Sequence, residues 1–149
     1  MKRCTILLIV LASLAVAAGT AAAQTTCKKP IVVTFEKHVV DATNLVFEGT
    51  TGGKARGDLV SRMVPGSLTI DGPIWQFTFD WIVTAKARHK SFVARTSGTF
   101  DTSSGRVVME GAVTQGWHLG APVHEEGQLI DPATFTFAGR LELAAADED

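Results

Sequence analysis

The sequence predicts an all-β domain: a single antiparallel up-and-down barrel of about eight strands, calycin-like in outline. Two observations carry this. Apolar residues recur at every second position in one run after another, and turn-forming residues punctuate those runs at short intervals. No segment after residue 30 shows an apolar 3.6-residue repeat long enough to make a helix.

The first strand is expected over 31–39, where Val33, Phe35, Lys37 and Val39 alternate with Val32, Thr34, Glu36 and His38. A second, over 43–49, runs into GTTGGKARG (49–57). That glycine run holds Lys54 and Arg56 but lacks the order of a phosphate loop and has no helix after it, so it reads as a hairpin loop. Strands over 57–64 and 67–71 end at Pro65-Gly66 and Asp71-Gly72-Pro73. The strongest signal is 74–85, where Trp75, Phe77, Phe79, Trp81 and Val83 form one aromatic face. Lys86, Arg88, His89 and Lys90 follow as a solvated hairpin tip, with an anion-binding or attachment patch as the alternative. Strands over 90–100 and 106–114 flank the turn DTSSG (101–105), and Val107, Met109, Gly111 and Val113 share a face. The last pair, 121–129 and 134–143, is joined through Asp131-Pro132, with Phe135, Phe137, Gly139, Leu141 and Leu143 on one side. Closing such a meander removes exposed strand edges. A β-sandwich is the runner-up, but its long crossover connections are not evident.

The ends of the chain speak to compartment. Lys2 and Arg3, the apolar run Ile6–Ala18 and Ala21-Ala22-Ala23 together read as a secretory signal peptide over 1–23, too short to span a bilayer comfortably. The expected organisation is signal peptide 1–23, tail 24–29, barrel 30–143 and acidic tail 144–149, in a secreted or periplasmic protein. Cleavage would leave 149 − 23 = 126 residues, and loss of Lys2 and Arg3 would take the formal charge from −1 to −3. An acidic exported domain has no electrostatic case for nucleic acid. Cys27 would then be the only cysteine, excluding an internal disulfide; it reads as a tail residue or an intermolecular link.

Chemistry concentrates in GWHLGAPVHEEGQLIDP (116–132). His118, His124 and Glu125 are ligand types for zinc, but six residues separate the histidines, Gly120 and Pro122 intervene, and no H-E-x-x-H follows, so no metal site is expected. An acid/base pair of histidine with Glu125 or Glu126 is chemically reasonable, yet adjacent strand residues point to opposite faces, so only one glutamate can serve a given pocket. Cys27 has no orienting partner and no G-x-S-x-G elbow exists. The stretch reads as architecture and barrel rim.

The segment Gly116-Trp117-His118-Leu119-Gly120-Ala121, followed by Gly127, resembles a motif of allene oxide cyclase-like and dirigent-like barrels, as does the run Asp131 to Leu141. The resemblance covers 90–143, with an echo in Phe47-Glu48-Gly49-Thr50. It implies a secreted eight-stranded calycin-type barrel, often trimeric, with an apolar cavity, in a family of fatty-acid-epoxide cyclases and guides of radical coupling. The chain has no tyrosine, and the resemblance assigns it no catalytic residue.

The expected function is binding of a small lipophilic molecule or a partner surface, without chemistry or cofactor of its own. Trp75, Phe77, Phe79, Trp81, Trp117 and His118 are the expected binding residues, with His118, Glu125 and Arg140 as rim residues that orient the ligand. The alternatives are a cofactor-independent isomerase or cyclase using Glu36, Glu48, Asp80 or Glu110, and a structural exported protein with a solid barrel.

Overall fold

A computed structural model describes residues 29–144. The expected signal peptide (1–23), Cys27 and most of the expected acidic tail lie outside the described residues. Among the described residues are nine strands: β1 Ile31–Asp41, β2 Val46–Thr51, β3 Gly57–Met63, β4 Thr69–Asp71, β5 Ile74–Ala85, β6 Phe92–Asp101, β7 Arg106–Gly116, β8 Pro122–Asp131 and β9 Thr136–Leu143. They form one antiparallel sheet in the order β3-β2-β1-β9-β8-β7-β6-β5, and β3 pairs with β5 to close an eight-stranded barrel. β5 is long enough for its edge to serve twice: Phe79–Ala85 takes β3, and Ile74–Gln76 takes the short, exposed β4.

Alternation sets the inner face. Buried residues fall on odd positions in seven of the barrel strands and on even positions in β6, where Phe92, Ala94, Thr96 and Phe100 point inward. Space for the larger rings is made by absent side chains. Gly127 and Gly139 face one another across β8 and β9, and the Phe35 ring lies over them; a Cβ on Gly139 would lie 2.9 Å from Phe35 Cζ and 2.1 Å from the Glu126 carbonyl oxygen.

The two ends of the barrel are built differently. At one end, three hairpins follow one plan. Asp41, Asp101 and Asp131 each accept a hydrogen bond at 2.9 Å from the backbone N–H two residues on. Four residues after each aspartate the chain takes positive φ, at Leu45 (47°), Gly105 (73°) and Phe135 (49°). Only the middle hairpin uses glycine there, the residue at ease in that conformation. This turn occupies 42–45, which is why β2 begins at Val46 and not at the expected 43. The other end carries the 3-10 turns Gly53–Ala55 and Arg88–Lys90, and the Trp117–Ala121 turn between β7 and β8.

Candidate functional site

The barrel interior is not wholly apolar. Lys37 continues the inward stripe of Val33 and Phe35 and is 6% exposed; Glu125 continues the stripe of Val123 and is fully buried. β9 lies between β1 and β8 and brings the two together, with Lys37 Nζ 3.4 Å from Glu125 Oε1. That is longer than the ~2.8 Å of a strong charge-assisted hydrogen bond. Nζ also sits 3.7 Å from the centroid of the Trp81 ring, and 5.2 Å from that of Phe35. Glu125 Oε2, Trp81 Nε1 and Ser61 Oγ are buried and have no hydrogen-bond partner.

The electrostatics follow from burial. Removal from water pushes the Lys37 amine down from its ordinary pKa, and the nearby Glu125 carboxyl only partly offsets this. Burial likewise pushes Glu125 up, against the opposing pull of Lys37 and a smaller one from the Trp81 indole. The indole N–H is near enough to exert that pull but does not reach hydrogen-bond geometry. Both shifts run toward the uncharged forms, and the amine and the carboxyl face each other away from bulk solvent.

Next to this pair, toward the three-aspartate end, is a cavity of about 30 Å³. Lys37 is the one ionisable residue on a wall otherwise made by Leu45, Val107, Met109 and the rings of Trp75, Phe77, Phe79, Phe47, Phe100, Phe135 and Phe137. Nζ lies 5.5 Å from the ring centroids of both Phe47 and Phe79, which places it beside that wall. Rings meet edge to face around the space, Phe77 with Phe79 at 5.1 Å and Phe100 with Phe137 at 5.2 Å. Leu45 and Phe135, the two non-glycine residues at positive φ on this end, are only half-buried and lie over the cavity.

The expected binding residues divide. Trp75, Phe77 and Phe79 line the cavity, and Trp81 stacks on Lys37 below it. Trp117 and His118 stand at the opposite end, in the β7–β8 turn, where their rings are 4.4 Å apart and Lys90 Nζ lies 5.8 Å from the Trp117 ring centroid. The expected rim set of His118, Glu125 and Arg140 does not assemble. His118 is in that far turn, Glu125 is inside the barrel, and Arg140 is on the outer wall bound to Glu126 and Glu142.

The four acids expected to serve an enzyme also face outward, because alternation places them opposite the core. Glu36 and Glu48 are exposed, Asp80 is clamped by Arg95 at 2.7 and 2.8 Å, and Glu110 bonds to His124. Burial lowers the pKa of His124, but Glu110 and Glu126 outweigh it and raise the value. Glu125 and Glu126 do point to opposite faces, and the inward one is Glu125. Among the described residues no three His, Cys, Asp or Glu side chains are grouped to hold a metal ion. No helix among them is long and apolar enough to cross a membrane.

Fold and site together define a closed antiparallel β-barrel with a buried lysine–glutamate pair beneath an aromatic cavity. No family model matches the chain, and no curated protein or solved structure matches it either.

Proposed function

We propose that the protein is an exported barrel that binds one small, predominantly apolar molecule in the aromatic cavity, with its polar end toward Lys37. The observation that carries this is the composition of the wall: apolar and mostly aromatic, with a single buried amine. Such a group is costly to bury and is retained most readily where it contacts a ligand. Export is supported by Lys2-Arg3, the apolar run Ile6–Ala18 and Ala21-Ala22-Ala23.

A space of about 30 Å³ holds on the order of one or two waters. A ligand therefore enters by displacing Leu45 and Phe135, whose positive φ already stores strain on the order of 1 kcal/mol each. Native mass spectrometry of protein from its own host should reveal a co-purifying lipophile, and a panel of small apolar compounds should raise the melting temperature. An empty protein that no compound stabilises would leave the solid-barrel reading in its place.

A second reading, a cofactor-independent isomerase or cyclase, is favoured by one observation: a carboxyl, Glu125, faces the barrel interior next to the cavity-lining amine. It would rest on Glu125 and Lys37 in place of the four outer acids.

A further inference from the structure

We propose that Lys37 captures an apolar aldehyde as an imine, with Glu125 handling the proton; this names the ligand class of the cavity and rests on the binding reading above. Three observations converge. Lys37 is the one amine on the cavity wall, its Nζ beside the rings of Phe47 and Phe79. Glu125 Oε1 is 3.4 Å from that nitrogen, within reach of a proton exchanged there. Its second oxygen, Oε2, is fully buried without a hydrogen-bond partner, so its acceptor capacity is unused.

The reaction balances without an oxidant or reductant. The Nζ lone pair attacks the aldehyde carbon and the carbonyl electrons move to oxygen; the nitrogen then gives up a proton that the Glu125 carboxyl relays to that oxygen, giving a carbinolamine with the carboxyl again protonated. The Glu125 carboxyl protonates the hydroxyl, the C–O bond breaks, and water leaves as the C=N bond forms. The imine proton then lies between nitrogen and the Glu125 carboxylate. Burial shifts the amine toward the neutral form that a nucleophile needs, and shifts the carboxyl toward its acid form. The Trp81 face, 3.7 Å from Nζ, would stabilise the positive charge of a protonated imine. The aldehyde's tail would lie among the rings, so aldehydes with polar or charged tails are excluded by desolvation.

The test is reductive trapping of the full protein with cinnamaldehyde and cyanoborohydride, followed by peptide mapping. The first adduct should form at Lys37, ahead of labelling at the exposed Lys54 and Lys86. Glu125→Gln, which keeps shape and the amine, should slow it on the order of a hundredfold, the usual worth of a placed general acid. Lys37→Met should abolish it while leaving surface labelling unchanged, and the wild-type map decides the matter if that variant does not fold. Labelling spread over the surface lysines with Lys37 unmodified overturns the proposal. If naphthalene still binds in that case, the apolar cavity reading survives; if it does not, both fail. A wild-type rate for Glu125→Gln would remove Glu125 from the chemistry.

Discussion

Lys37 and Glu125 are 88 residues apart in the chain and meet inside the barrel at 3.4 Å, each removed from water. Breaking such a pair from one side leaves a buried polar group without its partner, which costs about 1–3 kcal/mol for an uncharged group, whereas replacing both sides with apolar groups is often neutral. Lys37→Met and Glu125→Leu should each destabilise strongly, and the double variant should return to within about 1 kcal/mol of the wild type. Urea unfolding of the four proteins reads this directly. Additive losses in the double variant would show that the two residues are not coupled.

The hairpin residues over the cavity should behave unlike the core beneath them. Phe135→Gly loses a half-buried ring but releases positive-φ strain, so stability should change by no more than about 1 kcal/mol. Phe137→Ala, which removes a buried ring from the cavity wall and enlarges the void, should cost about 3–5 kcal/mol. Stopped-flow binding of an apolar probe should be faster to Phe135→Gly than to the wild type. An unchanged association rate would remove Phe135 from the entrance.

Acid should loosen the three-aspartate end. Hydrogen bonds from Ser103 and Ser104 hold the Asp101 carboxyl at about 2, below its unfolded value of 3.8, and Asp41 and Asp131 are lowered by the same kind of turn. Depressed folded values mean that this stabilisation is present above pH 3.8 and is lost as pH falls toward 2. Asp101→Asn should therefore unfold at lower urea than the wild type at pH 7, with the gap closing as pH drops through that window. A gap independent of pH would assign the loss to something other than ionisation.

The paired glycines should rank by what a methyl would meet. At Gly139 it would strike the Glu126 carbonyl at 2.1 Å, whereas at Gly127 the nearest atom is the tip of the Phe35 ring at 3.2 Å. Gly139→Ala should cost at least about 2 kcal/mol and Gly127→Ala clearly less, measured by thermal unfolding. Equal effects would mean that the β8–β9 contact is looser than its register implies.

Much of this barrel was legible in the sequence because strand alternation is a local property. The aromatic face of 75–83 and the odd-numbered stripes of β1, β7 and β9 are the inner faces of the barrel. The site was less legible for a different reason. Lys37 was visible on the Val33–Phe35 stripe, but a single lysine in an apolar run carries no chemistry until its partner is known. The partner depends on β9 lying between β1 and β8, which no local pattern reveals. A usable signal did exist at Glu125: Val123 and Leu129 share its parity, so of two adjacent glutamates it is the one to turn inward. Trp117 and His118 were drawn into the expected site by residue type, since nothing in a turn tells which end of a barrel it closes. The turns at Asp101 and Asp131 are visible in the sequence, but the shared plan with Asp41 that marks the cavity end is not, because Leu45 and Phe135 stand where glycine would signal the positive φ.

If the cavity beside Lys37 takes an apolar ligand, an NMR titration of labelled protein with naphthalene will show where it binds. Saturable shifts are expected at Lys37, Phe47, Phe79 and Phe137 and in the Leu45 and Phe135 turns, with Trp117 and His118 unmoved. Saturable shifts confined to Trp117 and His118, or none anywhere, would contradict it.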